Sequence, residues 1–586
     1  MIRSVLVANR GEIAVRLLRG YRELGIRAVA MYSDADATAL HVRLADSALR
    51  LGPAQVTASY LNREAVIAAA QQAGADAVDP GYGLLSEDPG FARAVTEANL
   101  VFIGPTPGVI ATMGDKPAAR AIALRAGVPV VPGSGVITSP DQGRAEAARL
   151  GYPVVVKASS GGGGRGLRVV EEAAALPGAL EAAAAEAAAG FGRPEVYLER
   201  HVGDARHVEM QILADAYGTV LCLGDRDCSV QRRHQKLIEE APAPFLPAGV
   251  RAAMQSAAAG LAAEAGYRST GTAEFLYSPA SGEFWFLEMN TRLQVEHGVT
   301  ELVTGLDLVQ HRLAVAAGEP LGLAQADIEV RGHAIQARLA AEDPWRQFLP
   351  VPGTVTGLHV PTGPWLRADF GVEAGDRVPA EYDSMFGKLM AWGPDRETAR
   401  RRLIAALGEL RVSGLPSTAP YLRDVLAEPE FCAGTHRTAT LEERWRPRAD
   451  GRPPEAGREW PDGAGSGAAR TVQISTNHGP FGVSIYGRPR PAPASGRAGR
   501  GAGPRAGTGN RTSAGQPAAP MAGVVVKVAV ARGDVVERHA VLVVLEAMKM
   551  QIPVTAPAAG EVTALLVAEG DSVTAGQLLA EVSAGP

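Results

Sequence analysis

The residues most able to do chemistry lie on either side of a turn. Segments 270–277 and 283–290 have the β-branched and aromatic content of strands, and the turn-rich string Ser278-Pro-Ala-Ser-Gly-Glu283 joins them, which predicts a hairpin. Glu274 and Glu288 are equidistant from Ser281, so a turn centred there sets them opposite each other. By the period-two rule, Phe284, Phe286, Glu288 and Asn290 share one face of the second strand. Facing carboxylates repel unless a cation lies between them, and hard oxygen ligands of this kind suit Mg²⁺ held together with phosphates. The alternative, a solvated acidic sheet face, sits badly with an otherwise apolar strand.

The next residues, Asn290-Thr-Arg292-Leu-Gln294-Val295-Glu296-His297, continue the alternation. Arg292, Gln294 and Glu296 then offer a guanidinium, an amide and a carboxylate to one small planar anion, with Glu296 as a candidate base. Upstream, the stretch 226–236 carries Arg226, Gln231, His234 and Lys236 and reads as the wall of an anionic site. A second phosphate-seeking element is Tyr152-Pro-Val-Val-Val-Lys157-Ala-Ser-Ser-Gly161-Gly162-Gly163-Gly164-Arg165-Gly166, a buried strand bearing a lysine followed by glycines able to turn several N–H groups toward an anion. No Gly-Lys-Ser/Thr follows at the spacing of a Walker loop. Lys116, in Met113-Gly-Asp-Lys116, is another candidate phosphate cation, or else a surface lysine.

A third signal is a repeat. Pro520, Gly523, Gly533, Asp534, Val536 and Leu542 recur 37 residues later as Pro557, Gly560, Gly570, Asp571, Val573 and Leu579. Two matching sets of short β-segments with Gly-Asp turns predict a flattened β-sandwich or barrel. The joining segment carries Glu546-Ala-Met-Lys549-Met550, a lysine bracketed by methionines at a turn. Exposed methionine costs solubility unless something packs there, so a modified lysine is favoured over a plain surface one.

The chain that must position these groups has 586 residues, enough for several domains with large cores. Its 58 basic and 63 acidic residues leave a net charge of −5, which provides no global field for nucleic acid. Cys222, Cys228 and Cys432 contain no CxxC pair, so neither structural zinc nor a disulfide framework is expected, and a cytoplasmic setting fits. The apolar start is too short for a signal segment, and no run reaches membrane-spanning length, so no membrane association is expected. Residues 3–8, 11–24 and 26–32 read as strand, helix and strand. The first turn, Ala8-Asn-Arg-Gly-Glu12, lacks the three glycines of a dinucleotide fingerprint. An Ala/Glu-rich helix is expected near 171–190. Residues 487–520 have six Arg, no acidic residue and no large apolar one, and read as a tether rather than an RNA-binding arm. Residues 471–486 resemble an isolated β-hairpin.

The repeated module with Ala547-Met-Lys549-Met550 resembles the biotinyl domain of biotin-dependent carboxylases, which implies biotin amide-linked to Lys549. Lipoyl domains share that fold, but their lysine is usually not bracketed by Met. Residues 1–445 resemble the biotin carboxylase component of acyl-CoA carboxylases, an ATP-grasp enzyme. The strings 226–236 and 288–296 carry the likeness, with Gly81-Tyr82-Gly83, Arg331-Gly-His333, Arg338, Ala341-Glu-Asp343, Tyr382-Asp-Ser-Met385 and Gly387-Lys388. The resemblance implies an α/β and α+β architecture: a Rossmann-like N-terminal domain over 1–114, an ATP-grasp domain over 115–330 and a biotin carboxylase C-terminal domain over 331–447. A linker with a possible short hairpin over 448–519 and an all-β biotinyl domain over 520–585 complete it.

It further implies that Lys116, Lys157, Gly161, Gly162, Gly163, Gly164, Gly166, Glu199, His207, Gln231 and His234 surround ATP, and that Glu274, Glu288 and Asn290 bind two Mg²⁺ or Mn²⁺ ions. Arg292, Gln294 and Val295 would hold bicarbonate, Glu296 would act as base with Lys236 nearby, Arg338 would stabilise the biotin enolate, and Tyr82 and Gly83 would line the biotin pocket. The implied reaction is ATP-driven carboxylation of biotin through carboxyphosphate. The stretch 448–519 is too short for a carboxyltransferase, so a separate β subunit acting on acetyl-CoA or propionyl-CoA is expected, with biotin protein ligase as a further partner and an oligomeric assembly. Pyruvate or urea as final acceptor, and a biotin-bearing carrier without activity, are the alternatives. Four positions depart from the family's usual residues: Asp79 for His, Leu84 for Phe, Ser160 for Gly and Gly298 for Pro. A negative charge at Asp79 is expected to disturb the biotin-side loop and slow turnover.

Overall fold

Short apolar runs alternating with amphipathic helices build the N-terminal part, where five parallel strands, Ser47–Gly52, Arg27–Ser33, Ser4–Val7, Ala77–Asp79 and Val101–Phe102, lie side by side in that order. The central strands Ser4–Val7 and Arg27–Ser33 are buried nearly throughout and read as largely apolar runs, whereas the edge strand Ser47–Gly52 is partly exposed. The helix Gly11–Glu23 packs Ile13, Leu17 and Leu18 into the core beneath them. The structure, a computed structural model, describes residues 2–158, 168–191, 193–447, 470–476, 479–485, 516–521, 523–547, 550–574 and 576–584.

The middle of the chain supplies two antiparallel layers. One has four strands in the order Gly133–Ile137, Val196–Arg200, Val154–Ala158 and Arg168–Val170, covered by helices Pro140–Leu150 and Leu176–Phe191. The other has eight strands: Phe284–Asn290, Ser269–Tyr277, Arg206–Ala214, Val220–Arg232, Gln235–Ala241, His333–Ala340, Met385–Gly393 and Leu366–Phe370. Its fifth and sixth strands pair Ile238 with Ala337, so one sheet runs without a break from the middle of the chain into the segment after residue 330. The helix Ala248–Glu264 lays Met254, Ala258 and Leu261 against the apolar face of this sheet, and the opposite face carries the polar residues described below.

The chain divides into two compact units, the second made of residues 452–546 and 550–586. Strands Arg470–Thr476 and Gly479–Ile485 pair as an antiparallel hairpin, close to the 471–486 expected. The terminal module is a sandwich of a four-stranded sheet, Met550–Thr555, Val541–Ala547, Gly523–Val528 and Ser572–Val573, and a three-stranded sheet, Val535–Val536, Gly560–Leu565 and Ala580–Ala584. The 37-residue repeat is also a repeat of structure. Gly533 N–H donates to the Val562 carbonyl at 2.8 Å and Gly570 N–H to that of Val525 at 2.7 Å. Asp534 and Asp571 each accept at 2.8 Å from the backbone N–H three residues earlier. Both glycines have positive φ, +95° and +92°, a conformation that disfavours any side chain. Val536, Val573, Leu542 and Leu579 occupy matching core positions. Lys549 and residues 487–515 of the tether lie outside the described residues, whereas 516–520, expected to belong to the tether, join the module: Ala518 pairs with Leu578 and Ala519 is buried in the core. Among the described residues no helix is long and apolar enough to cross a membrane.

Candidate active site

Glu274 pairs with Glu288 across the hairpin, and Thr272 with Asn290, so the two acids and the amide share one sheet face. The expectation that Phe284 and Phe286 also lie on that face is overturned. The register slips between Glu274 and Phe275, leaving Leu287 unpaired; Phe286 opposes Phe275 and Phe284 opposes Tyr277. This β-bulge inverts the alternation, and both phenylalanines stack edge-on against Phe275 in the core. Burial and the neighbouring Glu274 raise the Glu288 carboxyl, while Glu274 is held low by Lys236 and His207 against the effect of its own burial. Two facing carboxylates displaced in opposite directions form a hard oxygen set that suits a divalent cation. Asn290 donates its amide N–H to Glu274 at 2.9 Å and accepts from Arg292 at 2.8 Å.

One ammonium organises the floor. Lys236 Nζ lies 2.6 Å from Glu209, 2.9 Å from Glu274 and 2.7 Å from Glu296. Burial alone would lower it, but the three carboxylates hold it well above the ordinary lysine value. Glu296 is fully buried; its second oxygen accepts from Arg338 at 2.9 Å, and Arg338 also pairs with Glu239 at 2.5 Å. Against its burial, Lys236 and Arg338 hold Glu296 ionised, far below the ordinary range. An ionised carboxylate flanked by two cations has an acceptor lone pair for a proton and neighbours ready to receive an anion. Arg226 is not part of the wall: it is fully buried and saturated by Glu209, Gln211, Thr272 and Thr300.

The segment after Asn290 is not an extension of the strand. Residues 291–296 form an irregular turn leading into helix His297–Thr304, and it is this turn, not alternation, that gathers Arg292, Gln294 and Glu296. Arg292 spans Glu87 at 2.9 Å, Gln294 at 2.9 Å and Asn290 at 2.8 Å; Gln294 in turn donates to Glu274 at 3.3 Å. Glu87, Glu209 and Glu239 are absent from the sequence reading. Each lies in a segment without a local motif, and only the period-two run His207, Glu209 and Gln211, polar against the alternating Val208, Met210 and Ile212, hints at a role for Glu209.

On the nucleotide side, Lys157 on strand Val154–Ala158 donates to Glu199 on the neighbouring strand. Asp115 caps helix Lys116–Arg125 by accepting from Ala118 N–H at 3.0 Å, so Lys116 opens that helix and adds its charge to the positive end of the dipole. Burial holds Lys116 below its usual value, although Glu288 pulls it upward. His207 lies 3.1 Å from Glu274, and this carboxylate raises the imidazole despite burial. Gln231 is buried in strand Val220–Arg232, and His234 is exposed at the tip of the next turn, where its φ is +63°. Gly161, Gly162, Gly163, Gly164, Gly166 and Ser160 lie outside the described residues.

Tyr82 and Gly83 sit in the loop after strand Ala77–Asp79, at the C-terminal edge of the parallel sheet. Asn9 clamps this loop by donating to the carbonyls of Pro80 at 2.6 Å and Tyr82 at 2.7 Å. The expected intrusion of charge from Asp79 is corrected. Asp79 is fully buried, neutralised by Arg312 at 3.0 Å and bonded by Tyr21, and it accepts from Gly81 N–H at 2.8 Å. It therefore braces the loop from beneath. Gly298 is packed so closely that a Cβ would meet Met390 Sδ at 2.4 Å. Leu84 takes a left-handed φ of +46°.

A parallel nucleotide-type sheet, a lysine-bearing antiparallel layer and an acid-lined eight-stranded sheet define a ligase of the ATP-grasp class. Comparison with known sequences agrees segment by segment: biotin carboxylase N-terminal domain over 1–110, carbamoyl-phosphate synthase L chain ATP-binding domain over 115–324, biotin carboxylase C-terminal domain over 336–443 and the biotin-requiring enzyme domain over 516–582. The chain is 49% identical over 446 residues to the biotin carboxylase of Haemophilus influenzae, covering 76% of this chain and 99% of that protein. It is 42% identical to the biotin-dependent acyl-coenzyme A carboxylase alpha3 subunit of Mycobacterium leprae, over 99% of this chain and 98% of the relative. The biotin carboxylase domain of Hydrogenobacter thermophilus 2-oxoglutarate carboxylase, solved as a dimer with MgADP, ADP and bicarbonate, superposes with a TM-score of 0.73 at 43% identity, covering 76% of this chain and 98% of that one. The chain belongs to the biotin carboxylase family, and it joins an ATP-grasp biotin carboxylase to a biotinyl module.

Proposed function

We propose that the chain is the alpha subunit of an acyl-CoA carboxylase, which carboxylates biotin carried on Lys549 at the expense of ATP and bicarbonate and passes the carboxyl group to acetyl-CoA or propionyl-CoA on a separate carboxyltransferase beta subunit. The observation that carries this reading is Glu296 held between Lys236 and Arg338 on the sheet face shared with Glu274. Match to the alpha3 relative along nearly the whole chain supports the acyl-CoA acceptor over a 2-oxo acid. Biotin protein ligase would load Lys549, and the enzyme would assemble as an oligomer.

Arg292, Gln294 and the Val295 backbone hold bicarbonate, and Glu296 takes its proton as the oxygen attacks the γ-phosphate of ATP. Lys116, Lys157 and His207 offset the charge that builds on the phosphate oxygens, with Gly161, Gly162, Gly163, Gly164 and Gly166 as cover and Glu199, Gln231 and His234 around the nucleotide. Mg²⁺ or Mn²⁺ at Glu274, Glu288 and Asn290 would supply charge neutralisation between the transferring phosphates. Carboxyphosphate then breaks into CO₂ and inorganic phosphate beside the Tyr82 and Gly83 loop; that phosphate would take the N1 proton of biotin, and Arg338 would face the negative charge left on the ring until N1 adds to CO₂. The functional segments follow as 1–114, 115–330, 331–447, 448–519 and 520–585.

Glu296→Ala tests the reading. Bicarbonate-dependent ADP release with free biotin should be abolished, while ligase-catalysed biotinylation of Lys549, read by intact mass, stays complete. Normal turnover in that variant would remove the base assignment, and co-purification of a 2-oxo acid transferase in place of an acyl-CoA one would redirect the acceptor.

A further inference from the structure

Lys388 has no place in the chemistry above, yet it is fully buried next to it. On strand Met385–Gly393 it stands directly across from Arg338, and on its other side across from Asp369. Two cations opposed in one sheet destabilise each other unless each has its own anion. Arg338 has Glu239 and Glu296. Lys388 instead reaches out of the sheet in two directions. Its Nζ donates to the Val295 carbonyl at 2.7 Å, and it lies 3.2 Å from Glu12 Oε2 in the first turn of helix Gly11–Glu23. The other Glu12 oxygen accepts from the Tyr82 hydroxyl, and Lys388 Nζ is 5.9 Å from the centre of the Tyr82 ring.

A charged donor of this kind is out of proportion to the needs of packing. Burying a lysine is costly unless it is paired, and an apolar residue of similar length would fill the same volume more cheaply. The contacts it makes are with two loops from distant parts of the chain: the 291–296 turn, through the Val295 carbonyl, and the Tyr82 loop, through Glu12. Gly371 packs against the helix start that carries Glu12 so closely that a Cβ there would meet the Glu12 nitrogen at 2.5 Å.

The geometry points to Lys388 as a positioning residue for the carboxylation reaction: one buried ammonium ties the bicarbonate-holding turn to the biotin-side loop, so that both sites are set by the same group. This rests on the assignment of Val295 to bicarbonate and Tyr82 to biotin made above. A residue that served folding alone would leave both Michaelis constants unchanged once the fold was secured.

The test is steady-state kinetics of ADP release by the full chain with free biotin and bicarbonate. Lys388→Met should raise KM for bicarbonate and for biotin by about tenfold each, the loss expected for one hydrogen bond from a charged donor, with KM for ATP within about twofold. Glu12→Gln keeps the Val295 contact and should raise KM for biotin alone. The double variant removes both buried charges, so it should melt at or above the Lys388→Met temperature and still show the bicarbonate defect. Unchanged bicarbonate KM in either Lys388 variant, or failure of both to fold, overturns the inference. If wild-type protein with biotin and bicarbonate releases no ADP, the functional reading fails instead, which separates the two outcomes.

Discussion

Glu274 stands opposite Glu288 because Leu287 between strand pairs is left without a partner. Without that bulge Phe286 and Glu288 would share a face, and the phenylalanine now stacked on Phe275 would enter the polar site. The repulsion between the two acids is thus built into the register, and a cation is what relieves it.

Glu288→Gln removes that repulsion. Because burial and Glu274 raise the Glu288 carboxyl, its ionised form destabilises the fold at pH values above its own titration. Without divalent metal, the variant should melt higher than wild type by roughly 1–2 °C at pH 7.5, on the order of 1 kcal/mol for a unit of this size. Added Mg²⁺ and ADP should stabilise wild type and not the variant. A lower melting temperature in metal-free buffer would contradict the opposed pair.

Glu240 ties the C-terminal part to the sheet. It accepts from Arg396 at 2.6 and 2.9 Å and lies 2.8 Å from His333, and against its burial these groups pull its carboxyl down to about 2. A carboxyl depressed in the folded state adds stability above its unfolded value, near 4.5, and loses it as pH falls toward 2. The depression corresponds to about 3 kcal/mol. Glu240→Gln should lower the melting temperature by roughly 3–6 °C at pH 7, with the gap to wild type narrowing below pH 4.5 in calorimetric scans. A gap that does not change with pH would show that the charge is not the source.

Asp79 and Arg312 form a buried pair, so removing one charge leaves the other uncompensated at a cost of about 3–5 kcal/mol. Asp79→Asn should therefore destabilise the large unit and, by loosening the Gly81 contact, raise KM for free biotin. Adding Arg312→Leu should recover much of the stability. Additive losses in the double variant, measured by thermal melts, would show that the two residues act separately.

Gly533→Ala and Gly570→Ala should weaken the terminal module by similar amounts, about 1–2 kcal/mol each. Their φ values nearly coincide, and no neighbour lies within 4 Å of a Cβ added at either position. Hydrogen exchange of strands Gly523–Val528 and Gly560–Leu565 in the full chain reads this out. A tenfold difference between the two variants would break the structural symmetry.

Local chemistry made a large share of this protein legible before any coordinates. The opening strand, helix and strand, the hairpin at 470–485, the twofold module and the opposition of Glu274 to Glu288 all follow from side-chain periodicity, turn residues or internal repetition. Such signals survive in sequence because each depends on residues within a few positions of one another, or on one segment copied into the next. The opposition itself holds by way of a bulge that alternation does not predict, which is why the faces of Phe284 and Phe286 came out reversed.

Only the tertiary structure decided which charges meet. Glu209, Glu239, Glu296, Lys236 and Arg338 come together from three strands and a helix start. Arg312 neutralises Asp79 from 233 residues away, and Lys388 joins Val295 to Glu12. An ion pair inside a protein is set by sheet order and burial, and neither is written in the spacing of the residues that form it. A carboxylate's neighbours across a sheet decide whether it binds a proton, a cation or an arginine, so the residue types proposed the chemistry and the packing assigned it.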